Sequence, residues 1–166
     1  MENNKFIIAV YVENKAGVLT RVTGMFTRRG FNIDTLTVGE TERPEYSRIT
    51  MCMSGDAYVK EQMLNQLKKL VVVKKVEVME YEPIKRELML IKVKNENKNR
   101  SEIMTAVDVF RASVIDYSTE GMCIEVTGNP SKIDAFVKLM QPFGILEMCR
   151  TGIVALERGT ATLFSK

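Results

Sequence analysis

Lys5-Phe6-Ile7-Ile8-Ala9-Val10-Tyr11-Val12-Glu13-Asn14-Lys15-Ala16-Gly17-Val18-Leu19-Thr20-Arg21-Val22-Thr23-Gly24-Met25-Phe26 changes its period once, and the change sets the fold. Lys5–Val12 is nearly continuous apolar sequence, as expected of a strand with two covered faces. Glu13 to Gly17 is turn-like. From Val18 onward, Val18, Leu19, Val22, Met25 and Phe26 fall on one helical face, and Gly30 is a stop signal. Phe31–Val38 then reads as a second strand, Gly39 to Glu45 as a polar loop, and Tyr46–Ser54 as a third strand alternating Ile49, Met51 and Met53 with Arg48, Thr50 and Cys52. Asp56 is placed to cap a helix carrying Val59, Met63, Leu67 and Leu70. Val72–Tyr81 closes a β-α-β-β-α-β unit.

The order repeats after a break at Pro83. Glu87–Val93 is apolar again, and Ser101 is placed to cap a helix with Ile103, Val107 and Phe110. Ala112–Tyr117 and Met122–Thr127 read as a hairpin around Glu120-Gly121. Asn129-Pro130 is an N-cap/N1 pair for a helix with Ile133, Phe136, Val137 and Met140. Gly144–Arg150 supplies the last strand, and Gly152 to Lys166 is a polar tail without clear periodicity. The fold class is therefore α+β, two ferredoxin-like βαββαβ units, with domains at 1–82 and 83–166.

In the first strand both alternations are apolar: Phe6, Ile8, Val10 and Val12 on one, Ile7, Ala9 and Tyr11 on the other. Leu88-Met89-Leu90-Ile91 is similar. Helices cover one face of such a sheet, so the second is expected to pack against another domain or subunit; a merely apolar central strand is the alternative.

Composition narrows the chemistry. Of 166 residues 45% are apolar and 27% charged, a globular balance, and the net charge of +3 is too small to argue for nucleic acid or membrane. No apolar run approaches the ~20 residues that span a bilayer. Met1-Glu2-Asn3-Asn4-Lys5 carries no signal-peptide pattern, so the cytoplasm is expected. Cys52, Cys123 and Cys149 form no metal-type pair and are expected to pack in strands. The chain has no histidine, which removes Ser-His, Cys-His and zinc His schemes. No phosphate-binding glycine motif is present. No catalytic or metal-ligating residue is assigned.

The loop Asn14-Lys15-Ala16-Gly17-Val18-Leu19 is the candidate binding segment. First-turn helix amides lack intrahelical partners and sit at the positive end of the dipole, so they can receive a carboxylate. Gly17 lets a ligand approach the backbone, Asn14 could orient the loop or meet an amino group, and Asn32 offers a donor and an acceptor. Each also has a plain structural role open to it: Asn14 and Gly17 as turn formers, Asn32 as an edge contact.

Val12-Glu13-Asn14-Lys15-Ala16-Gly17-Val18-Leu19 resembles the glycine loop of ACT domains, which sense amino acids at shared interfaces. Arg21 to Val38, Ser47-Arg48-Ile49-Thr50, Gln66 to Val71, Arg86 to Val93, Phe110-Arg111-Ala112 and Arg150-Thr151-Gly152 together resemble, in order, the acetolactate synthase (acetohydroxyacid synthase) small regulatory subunits, from about Phe6 to Gly159. The resemblance implies an N-terminal ACT domain, a C-terminal ACT-like domain and no catalysis by this chain. It implies homodimerisation through the ACT domains and a large catalytic subunit as partner, which is activated and made sensitive to valine or another branched-chain amino acid. The effector site maps onto Asn14, Lys15, Ala16, Gly17, Val18 and Leu19, completed across the dimer by Asn32 and Ile33. Lys15-Ala16 departs from the acidic-small pair of many members, which should change affinity more than identity. No cofactor is implied in this chain; thiamine diphosphate, FAD and magnesium are expected on the catalytic subunit.

An RNA-binding module shares the β-α-β-β-α-β order, but Ser47 to Met53 lacks the aromatics its third strand needs. A free-standing ACT sensor would share the loop, though not the match through the second unit.

Overall fold

The computed structural model describes residues 4–80 and 82–164. The chain divides into two compact units: Met1–Ile84 together with Ile153–Lys166, and Lys85–Gly152. The boundary after Ile84 lies beside the break read at Pro83. The tail, assigned with the second domain from the sequence, groups with the first unit instead.

The first unit runs β1 (Asn4–Glu13), α1 (Val18–Arg28), β2 (Thr35–Glu40), β3 (Tyr46–Gly55), α2 (Ala57–Lys68) and β4 (Val73–Val78). Its antiparallel sheet has the order β2-β3-β1-β4. The inward row of β1, from Ile8 through Val10 to Val12, packs with Ile49, Met51 and Met53 against Val22, Met25 and Phe26 of α1 and Met63 and Leu67 of α2. Asp56 caps α2 as expected, accepting from Val59 N at 2.8 Å. Two expectations shift. Residues 31–34 are not strand, because the chain folds back after α1, with Phe31 N donating to Phe26 O at 3.1 Å. The expected strand to Tyr81 ends at Val78, and Tyr81 itself lies outside the described residues.

The second face of this sheet is covered by the chain's own tail. Ile7, Ala9, Tyr11, Cys52 and Met79 form a second buried cluster with Ile153, Ala155 and Leu163. The expected domain or subunit is thus not needed for this face. The tail covers it with apolar residues spaced too irregularly to read as a helix or long strand, around the short β9 (Val154–Leu156).

The second unit contains β5 (Ile84–Lys94, but for Ile84 itself), α3 (Arg100–Val109), β6 (Ser113–Tyr117), β7 (Gly121–Gly128), α4 (Pro130–Met140), a 3-10 turn at Gln141–Phe143 and β8 (Ile145–Arg150). Its strands order as β6-β7-β5-β8. Met89, Ile91 and Val93 pack with Met122, Ile124 and Val126 under Ile103, Val107, Ile133 and Phe136. Asn129 caps α4 as read, accepting from Lys132 N at 2.9 Å. Ser101 does not cap α3: Asn99 N and Arg100 N both bond Glu96 O, so the preceding turn winds directly into the helix. The outer face of this sheet is open at Leu90, Lys92 and Cys149. Of the cysteines only Cys52 is buried; Cys123 is half-buried and Cys149 exposed, correcting the uniform packing role.

Candidate functional site

Glycine sets the passage from the candidate loop into α1. Gly17 sits at φ 82°, in the left-handed region, and precedes α1 without offering a side-chain cap. A Cβ there would meet nothing within 4 Å, so the glycine serves backbone conformation, and the space over it is open. No side chain folds onto the first turn of α1; Val18 N–H donates to Lys15 O at 3.3 Å, and the amides that follow are left open. Val18 is buried into the core below, while Leu19, expected on the buried face, is 41% exposed beside the loop.

Asn14 is held rather than loose. Its backbone N–H donates to Glu45 O at 2.8 Å. Its side-chain Nδ2 donates to Pro44 O at 2.9 Å and to Glu40 Oε1 at 3.2 Å, leaving the side-chain oxygen open among the described residues. Lys15 and Ala16 are exposed. Lys15 Nζ lies 3.1 Å from Glu13 Oε2, and Lys74 Nζ lies 2.6 Å from Glu13 Oε1. These hydrogen bonds, Lys74 first, hold the Glu13 carboxyl below its ordinary range. The loop thus carries cationic neighbours beside its open amides.

Asn32 and Ile33 lie elsewhere. Asn32 Nδ2 donates to Asp34 Oδ1 at 3.1 Å, Ser54 Oγ donates to Asp34 Oδ2 at 2.8 Å, and Asp34 N donates to Cys52 O at 2.9 Å. Ile33 packs partly against the helix-side core. Strand register locates both groups. Glu40 pairs with Ser47, which pairs with Val12, at the end where Asn14 follows β1. Thr35 pairs with Cys52, which pairs with Ile7, near the opposite end. The five residue steps from Thr35 to Glu40 put roughly 17 Å between the two rows. Within one chain the loop and the Asn32 group are therefore not brought together.

Two participants escaped the sequence reading. Glu40, read as part of the polar loop from Gly39 to Glu45, instead ends β2 and is a partner of Asn14. Thr35 Oγ1, two residues past Ile33, is buried with no hydrogen-bond partner among the described residues. Neither carried a local signal, because both depend on strand pairing. No group of three or more Cys, Asp or Glu among the described residues is placed to hold a metal ion.

Two ferredoxin-like units, the first carrying an uncapped glycine loop ahead of its first helix, make a protein of the ACT type. Residues 8–75 match the family described as AHAS small subunit-like ACT domain, and residues 86–159 match small subunit of acetolactate synthase. The chain is 49% identical over 155 residues to a probable acetolactate synthase small subunit of Archaeoglobus fulgidus, covering 93% of this chain and 98% of that one. It is 46% identical over 153 residues to the acetolactate synthase small subunit of Mycolicibacterium smegmatis, covering 92% and 90%. The crystal structure of the acetolactate synthase small subunit from Thermotoga maritima superposes with a TM-score of 0.88 at 40% identity, covering 95% of this chain and 99% of that one. This chain belongs to the acetolactate synthase small-subunit family.

Proposed function

We propose that this chain is the regulatory, non-catalytic subunit of a cytoplasmic acetolactate synthase. It docks on the large catalytic subunit, raises its activity, and makes that activity fall as valine or another branched-chain amino acid accumulates. The thiamine diphosphate, FAD and magnesium of the reaction belong, in this reading, to the catalytic subunit. Family membership supports the partner; the effector site rests on the geometry of β2.

That geometry is the observation carrying the proposal. β2 is an edge strand, with exposed residues in its second half. Such an edge is a template for pairing with another chain. Asn14 contacts Glu40 at the end of β2, while Asn32 and Ile33 stand just before its start. A two-fold axis that pairs β2 with β2 of a second copy runs the strands antiparallel. The Asn32 end of one copy then lies beside the Asn14 end of the other, and the site separated within a chain is completed twice in a homodimer. The effector carboxylate meets the first-turn amides of α1, its ammonium the Asn14 side-chain oxygen, and its aliphatic chain Leu19 and the partner copy's Ile33. A ligand shared in this way can favour one packing of the copies over another, as feedback requires.

The test is acetolactate formation by the cognate catalytic subunit, with and without this chain, across a valine titration. Wild type should activate, and valine should reverse the gain. Asn32→Phe should still activate, with the valine needed for half-inhibition raised about tenfold or more, because the ring crowds the place beside Ile33 that the effector's side chain needs. Loss of both properties would indicate misfolding. Unchanged inhibition would sink the assignment of this site.

A further inference from the structure

Between the C-terminal tail and the outer face of the first sheet lies a cavity of about 400 Å³, within the size range of small-molecule sites. It belongs wholly to the first unit. Tyr11 and Met79 line it from the sheet side, Leu163 and Phe164 from the tail. Tyr11 and Phe164 meet edge to face, with ring centroids 4.7 Å apart. Apolar walls of this kind suit a compact aliphatic group.

The polar lining is unusual. Arg48 is its one basic residue among the described residues, against four carboxylates, Glu40, Glu42, Glu77 and Glu157. Arg48 Nη2 donates to Ala155 O at 2.7 Å and lies 3.7 Å from Met79 Sδ. Its Nε–H is buried with no acceptor among the described residues. A guanidinium has five donors, and one so incompletely satisfied away from water is costly. Burial accordingly lowers the proton affinity of Arg48, while Glu157 and Glu42 act in the other direction. An arriving carboxylate would supply the acceptor Arg48 lacks, through charge-assisted hydrogen bonds. A bare carboxylate would also face the surrounding glutamates; an ammonium on the same molecule turns that repulsion into attraction.

We propose that this cavity is a second small-molecule site, which takes a free α-amino acid with an apolar side chain: carboxylate on Arg48, ammonium among the glutamates, side chain against Met79, Tyr11 and Phe164. It does not depend on the reading of the Asn14 loop, yet the two places share a residue. Glu40 lines the cavity and also accepts from Asn14. An ammonium that draws Glu40 inward weakens its hold on Asn14, and linkage makes the effect reciprocal.

The experiment is calorimetric titration of the full-length chain with L-valine, L-leucine and 2-oxoisovalerate, in wild type and in Asn32→Phe. Binding of an amino acid should persist in Asn32→Phe. It should weaken about tenfold or more on adding Arg48→Gln, as loss of a hydrogen bond to a charged group requires. Ala161→Trp fills the cavity from the tail side, leaves Arg48 in place, and should do the same with an unchanged unfolding midpoint, so the test survives if Arg48→Gln fails to fold. 2-Oxoisovalerate, lacking the ammonium, should bind more weakly than L-valine. Absence of binding in Asn32→Phe, or binding there that Ala161→Trp leaves untouched, would overturn the proposal. Equal binding of the oxo acid would overturn the ammonium assignment. Valine inhibition of the holoenzyme that survives Asn32→Phe would instead defeat the loop reading, leaving this one standing.

Discussion

The first residue beyond β1 is Asn14, and the first beyond β5 is Asn95, yet the two asparagines do opposite things. Asn14 is exposed on a glycine loop that leaves the next helix uncapped. Asn95 is only 3% exposed: its Nδ2 donates to Ser118 O, and its Oδ1 accepts from Arg100 Nε at 3.0 Å. Arg100 in turn lies over the Tyr117 ring. The same turn of the same fold is open in one unit and locked in the other. Neither α1 nor α3 has a side-chain cap, so what separates the two turns is the burial of the asparagine and its partners.

The sheets differ in the same sense. The outer row of β1, Ile7, Ala9 and Tyr11, is buried beneath the tail, whereas on β5 Leu90 and Lys92 of the outer row are exposed. Ending the chain at Gly152 should strip the first sheet of Ile153, Ala155 and Leu163, each more than nine-tenths buried. At ~1.5–3 kcal/mol for a large apolar side chain, the expected loss is roughly 5 kcal/mol, comparable to the whole stability of a marginal domain. Hydrogen exchange should show protection lost in β1 and β3 and kept in β5 and β7. Leu90→Ser, on the open face, should change stability by no more than about 0.5 kcal/mol. Equal losses from both changes would mean that the two outer faces are not different after all.

That difference was partly written in the sequence. The outer row of β1 is apolar throughout, while that of β5 runs Leu88, Leu90, Lys92 and Lys94; reading Leu88 to Ile91 alone hides the lysines. The periodic elements were legible because each residue signals its own face: Val18, Val22, Met25 and Phe26 do so in α1, and Asp56 and Asn129 mark their caps. The tail was not, since Ile153, Ala155 and Leu163 share a surface without sharing a period. In the site, Gly17 was legible as a backbone requirement. Glu40 was not, because its bond to Asn14 joins residues 26 apart through strand pairing.

The inward rows supply a smaller contrast. Next to Ile8 that of β1 carries Phe6, whereas next to Met89 that of β5 carries Glu87, which is 2% exposed. Arg150 grips Glu87 with Nε and Nη2, both at 2.8 Å, and reaches Asp134 with Nη1. The Glu87 hydrogen bond, opposed by burial and supported by Asp134, raises the proton affinity of Arg150. Arg150→Met would leave a buried carboxylate unpaired, at a cost of about 3 kcal/mol. Urea unfolding should register that loss in the second unit only. Adding Glu87→Leu should recover most of it, because an apolar pair of similar volume has no charge to desolvate. Failure of the second change to rescue the first would mean that the pair also fixes the backbone where β5 and β8 meet.

The smallest expected effect tests the loops directly. Asn95→Ala breaks two partly buried hydrogen bonds, to the Ser118 carbonyl and from Arg100, and should cost about 2 kcal/mol by urea unfolding. Asn14→Ala frees Glu40 and the Pro44 carbonyl at a solvent-accessible surface, where water replaces the amide, so the change should stay within about 0.5 kcal/mol. In the holoenzyme the order should invert: Asn14→Ala should raise the valine needed for half-inhibition, and Asn95→Ala should leave it unchanged at temperatures where the second unit stays folded. A loss of stability as large at Asn14 as at Asn95 would make the first loop a structural turn too. Valine sensitivity would then have to be sought in the dimer contact or in the cavity beneath the tail, to which Glu40 already connects it.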